Sequence, residues 1–138
     1  MMARPRGQSL VEGTLVMLLF FALLLGVVDC GQLIFAHQAL VERARAAARW
    51  GSLHPEAGPE PVRNLLLYGT PEPGLSRFPG VVEENVHVSF REEDGVPALH
   101  VEVVNFEAPL FAPWWAGLPH RWINPRPVSL TVPVAAAR

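Results

Sequence analysis

The sequence predicts an α+β fold: a long N-terminal helix, membrane-embedded over its first half, packed on a small antiparallel β-sheet of about three strands. Three observations predict it. Residues 13–28 (GTLVMLLFFALLLGVV) carry no charge. An amphipathic helical pattern continues that run to about residue 50. Three later segments alternate apolar and polar residues, and two of them flank the turn pair Asp94-Gly95.

Composition sets the bounds. A chain of 138 residues allows one domain, or one domain and a tail. Half the residues are apolar and 17% are charged, against roughly 25% in soluble domains, which excludes disorder as the whole answer. The 14 prolines and 11 glycines are aperiodic, so nothing collagen-like is indicated. All 11 basic residues are arginine, and the net charge of −2 gives no footprint for nucleic acid. The single cysteine, Cys30, excludes an internal disulfide framework and a cysteine-based structural zinc site.

The apolar run is the first element. Sixteen helical residues rise ~24 Å, short of a ~30 Å hydrocarbon core. Adding Leu10, Val11 and residues from Cys30 onward makes the helix long enough, with the span at about residues 10–31. A buried core helix is disfavoured, because so short a chain has little else to surround it. Only Glu12 and Asp29 are charged between Gly7 and Glu42. A cleaved secretory signal would need small residues after the run, and Val28-Asp29-Cys30 offers no A-x-A. A lipoprotein signal would need a small neutral residue where Asp29 precedes Cys30. The third reading puts cleavage ahead of the run, after the short basic segment Met1–Gly7 (MMARPRG).

That arrangement resembles a type IV prepilin signal. Residues 6–49 more closely resemble the TadE-like family of the tight-adherence (Tad) pilus system, whose pattern is R-G-Q/S-x-x-V-E, a Leu-rich run, G-x-x-D-x-G and an A-A-R-x-G-like end. Arg6, Gly7, Gln8, Val11, Glu12, Gly26, Asp29, Gly31, Ala46, Ala47, Ala48, Arg49 and Gly51 stand at matching positions. The resemblance covers about a third of the chain. Gly13 departs from the pattern, since an aromatic residue commonly follows the Glu. The resemblance implies a pilin-like plan. It also implies a leader over residues 1–7, removed between Gly7 and Gln8 by a prepilin peptidase, and an assembly role for Glu12 in neutralising an N-terminal amine.

Beyond Gly31 the helix becomes amphipathic, with Leu33, Leu40, Ala44 and Ala47 on one face and Gln38, Glu42, Arg45 and Arg49 on the other. The long helix is expected over residues 8–50, with Gly51 as its cap and Pro55 as a stop. Gly26 and Gly31 inside it are read as bends or as close-packing sites. Residues 51–80 hold eleven glycines and prolines and form a connector, with a short helix at 61–68 whose leucines cover the sheet.

The sheet domain is expected over 81–138. Placing a turn at Asp94-Gly95 pairs Val86 with Val103, Val88 with Val101 and Phe90 with Leu99, and sets His87 opposite Glu102 and Ser89 opposite His100. A slip of one residue would mix the faces. The third strand is Pro127–Val134.

Between strands two and three, Ala108–Arg126 reads as a long connection without a regular element. Its aromatic residues Phe111, Trp114, Trp115 and Trp122 have three readings: a cover for the sheet edge, a contact patch for another subunit, or an anchor at membrane-interface depth. His87, His100 and Glu102 could share a hairpin face, but alternating polar residues produce such groupings by chance, and no metal is expected. No Ser-His-Asp set, phosphate loop or HExxH run occurs, so neither catalysis nor a cofactor is expected.

Arg4 and Arg6 favour a cytoplasmic N-terminus, while Arg43, Arg45 and Arg49 beyond the span weaken that argument. The resemblance implies a single pass of the bacterial inner membrane, with the C-terminal part in the periplasm or at the cell surface. The expected partners are other pilin-like subunits, the Tad secretion machinery, a prepilin peptidase and membrane lipid. The alternative is an unprocessed, membrane-anchored periplasmic binding or scaffold domain.

Overall fold

No proline interrupts the chain between Pro5 and Pro55, and one helix occupies nearly all of that interval. The computed structural model describes residues 6–110, 121–124 and 126–134. Its first element, α1 (Arg6–Leu53), has 48 residues and is therefore about 72 Å long. Neither Gly26 nor Gly31 breaks it, and no other part of the chain lies within 4 Å of where their Cβ atoms would be.

Gly51 does not cap α1, as the sequence suggested, but sits buried inside its last turn. It is a point of close approach between α1 and the elements packed on it, because its missing side chain leaves room for Val62 and Leu99. The chain leaves the helix at His54, whose N–H donates to the Trp50 carbonyl at 3.1 Å. The His54 ring stacks on the Trp50 indole with centroids 4.5 Å apart.

After a short 3-10 turn at Pro55–Ala57, the second helix, α2, spans Pro59–Tyr68. It starts two residues ahead of the expected 61–68, since Pro59 is pre-set for a first helical turn. Gly69 ends it in the left-handed region, φ 81°, with its N–H donating to the Leu65 carbonyl. Val62, Leu66 and Leu67 are buried, and α2 packs against both α1 and the first strand. The glycine- and proline-rich stretch that follows is tied back at Phe78. Its N–H donates to the Leu67 carbonyl at 2.7 Å, and its ring lies under the Arg43 guanidinium at 5.2 Å.

Strands β1 (Val86–Glu93) and β2 (Val96–Val103) form a hairpin. Asp94 at φ 54° and Gly95 at φ 79° make the tight turn, two left-handed residues in succession as such a hairpin requires. The register is the one expected from alternation: Val86 opposite Val103, Val88 opposite Val101, Phe90 opposite Leu99, His87 opposite Glu102. The last strand, β5 (Val128–Pro133), joins the other side of β2, so the antiparallel sheet has the order β1-β2-β5. Leu99, Val101 and Val103 are buried in a core with Leu40, Ala44, Ala47 and Ala48 of α1 and with Phe106. Phe90 shares their face but remains 39% exposed, because it lies near the hairpin tip.

A further expectation is corrected. The connection from Ala108 to Arg126 has structure at its ends: β3 (Glu107–Pro109) pairs antiparallel with β4 (Arg121–Ile123) in a separate two-stranded ribbon. An ion pair between Arg121 and Glu107, at 3.0 Å, supports it. Three-residue strands are too short to leave a periodic trace.

Candidate functional site along the long helix

The candidate functional surface is built on α1. Its first turns present Gly7, Gln8 and Glu12 to solvent, well away from the sheet. The large apolar residues from Leu10 to Val28 all stand exposed, Leu10, Phe20 and Val27 among them. So many exposed hydrophobic side chains on one free-standing helix have no stable place in water. The helix is long and apolar enough to cross a membrane.

Asp29 behaves differently from its neighbours. It is 7% exposed, whereas Val28 and Cys30 on either side are exposed, and it is engaged in a polar interaction. Its burial continues a stripe. Asp29, Leu33, Ala36, Leu40, Ala44 and Ala47 recur at steps of three and four, and all are buried or half-buried. That spacing was the signal in the sequence that could have placed Asp29 on the core face. Farther along, Ile34 and Phe35 are 59% and 74% exposed, so apolar surface continues past Asp29.

Of the four aromatic residues singled out as a contact patch, Phe111, Trp114 and Trp115 lie outside the described residues. Trp122 is on β4, half-buried against the core cluster. With Leu33, Ile34, His37, Arg126 and Leu130 it lines an open groove of about 630 Å³ between α1 and the start of β5. Sequence reasoning missed this groove, because its walls come from segments some ninety residues apart.

The polar hairpin face brings His100 beside Thr131 and Glu102. His100 Nδ1 lies 3.0 Å from the Thr131 hydroxyl, and His100 Nε2 is 4.0 Å from Glu102. Among the described residues no group of three metal-ligating side chains forms. On the flank of the hairpin, Arg63 of α2 pairs with Glu60 of the same helix and with Glu83, a tie to the 3-10 turn that leads into β1.

The helix that carries Gly7, Glu12, Gly26, Asp29 and Arg49 is also the part of the chain with a recognisable family pattern. The family model described as TadE-like protein matches residues 7–49. Over those residues the long helix resembles the TadE-like family. The match ends just before Trp50, so α2 and both sheets lie beyond it. No curated protein and no solved structure matches the chain. The TadE-like segment thus coincides with the membrane-competent half of α1 and with the amphipathic half that carries the domain. The TadE-like family points to a role in Tad pilus assembly and to interaction with other pilus components.

Proposed function

We propose that this chain is a TadE-like minor pilin or pseudopilin that takes part in assembling a Tad (Flp-type) pilus, by insertion and packing and without catalysis. The observation that carries the reading is a coincidence. The residues that match the family are those of a helix whose apolar half stands clear of its own domain. A helix exposed in this way suits lateral packing, first among lipids and then among other subunits. In this reading the N-terminus is cytoplasmic, and the domain of α2 and the sheets lies outside the inner membrane. A prepilin peptidase removes residues 1–7, and Glu12 neutralises an N-terminal amine, its own or a neighbour's. Part of the aromatic set Phe111, Trp114, Trp115 and Trp122 meets a neighbouring subunit.

The test is N-terminal sequencing of the protein taken from its native membrane, combined with co-purification. A start at Gln8 together with recovery of other pilin-like subunits supports the assignment. An intact Met1–Gly7 segment on a protein recovered alone favours a membrane-anchored scaffold or binding domain.

A further inference from the structure

Where the membrane ends along α1 is decided by which charges are exposed. Asp29 is buried and so does not have to stand in water. Glu12 is exposed, and exposed charge is costly inside hydrocarbon, so Glu12 marks one face of the core. From there a ~30 Å core takes up about twenty residues at 1.5 Å each, reaching to about position 32. The headgroup layer adds ~5–7 Å, or about positions 32–37. The exposed Ile34 and Phe35 fall in that layer. So does the lower end of the groove, at Leu33, Ile34 and His37.

The chemistry of the groove suits that depth. Leu33, Ile34 and Leu130 give it an apolar wall, and Trp122, a residue type favoured at membrane interfaces, forms part of its side. Arg126 is exposed on its rim and none of its described lining residues is acidic. Nor does Arg126 pair with a carboxylate among the described residues. Its volume lies within the range of clefts that hold small molecules.

We propose that this groove docks the domain onto the bilayer surface by seating an anionic phospholipid of the adjacent leaflet. The glycerol and the first carbons of an acyl chain lie against Leu33, Ile34 and Leu130, and the phosphate meets Arg126. The domain is then held against the membrane at a fixed height, beyond what its helical anchor alone would impose. This rests on the reading of α1 as a membrane span, so the test separates the two.

Full-length chain with Cys30→Ser carries a bimane fluorophore through Val16→Cys in the span, Ser129→Cys at the groove, or Glu92→Cys at the hairpin tip. Each is reconstituted in vesicles of phosphatidylcholine and phosphatidylglycerol containing brominated lipid. The expected result is strong quenching at positions 16 and 129 and little at 92. Absence of quenching at 16 overturns the span and the docking together. Quenching at 16, with 129 no more quenched than 92, overturns the docking alone. Arg126→Gln should weaken docking at 129 about fivefold in phosphatidylglycerol vesicles while leaving 16 unchanged. No change at 129 in that variant overturns the phosphate contact. Shielding of 129 from both brominated lipid and aqueous iodide, with cross-linking to a second copy, overturns lipid in favour of a protein occupant.

Discussion

Gly51 of α1 and Val62 of α2 meet so closely that a Cβ on the glycine would lie 2.5 Å from Val62 Cγ2. The same Cβ would be 2.6 Å from Leu99 Cδ2 on β2. Three elements therefore converge on one missing side chain.

Replacing that glycine tests the convergence. Alanine would gain ~1 kcal/mol in helix propensity but must displace two buried side chains. Gly51→Val, which gains less in propensity and is larger, should destabilise the chain by ~1–3 kcal/mol. Val62→Ala makes room beside position 51, so the double variant should lose less than the sum of the singles. Urea unfolding in detergent, followed by tryptophan fluorescence, measures each. Strict additivity would argue against the contact.

The hairpin register makes a second prediction. Val101 is fully buried between Val88 and Leu130. Val101→Asp buries an unpaired carboxylate and should cost several kcal/mol, on the order of 3 or more. Glu93 is exposed beside the turn, so Glu93→Gln should change stability by less than ~0.5 kcal/mol. Protease resistance of the two variants should differ sharply; equal loss would refute the register.

Processing supplies the third. Gly7 has no side chain, which suits a close approach by a peptidase to the backbone. Gly7→Leu or Gly7→Glu should leave the precursor uncut when a membrane prepilin peptidase is present. Native chain should lose residues 1–7, Arg4 and Arg6 included. Intact mass spectrometry separates the outcomes, and an uncut native chain under those conditions contradicts the proposed leader.

Glu12 supplies the fourth. Its carboxylate stands exposed at the edge of the apolar run. Cleavage after Gly7 would place a new amine about one helical turn away. Such a pair would be favoured by assembly more than by the stability of the isolated chain. Glu12→Val should therefore insert and be cut normally but fail to co-purify with other pilin-like subunits. Normal recovery of those subunits, or a mature Gln8 found fully cyclised and so without charge, would remove the pairing mechanism.

Some of this was legible in one dimension. The sixteen uncharged residues 13–28 announce a helix long and apolar enough to cross a membrane. Alternation about Asp94-Gly95 announces the hairpin, because a period of two leaves only one register that keeps Val86, Val88 and Phe90 on the side of Leu99, Val101 and Val103. The family pattern is local too, since the matched residues 7–49 lie on a single helix. Other features left a misleading trace or none. Gly51 reads as a helix cap, although its use is to admit Val62 and Leu99. The pairing of Glu107 with Ile123 is set by chain return over a long connection, not by periodicity.

The sequence by itself thus determined the elements whose causes are local: an apolar helix of membrane length, a stop near Pro55, a hairpin of defined register and a TadE-like helix pattern. Those depend on side-chain period, backbone permission and charge, all of which act over a few neighbouring residues. The helical spacing puts Asp29 in line with the core stripe, but only the tertiary structure decided that the stripe is covered that far, burying Asp29 while Val28 and Cys30 are exposed. It alone placed Trp122 and Arg126 beside Leu33. Burial is a property of what arrives from elsewhere in the chain. A carboxylate in an apolar helix and an arginine before the last strand acquire their surroundings when distant segments pack together.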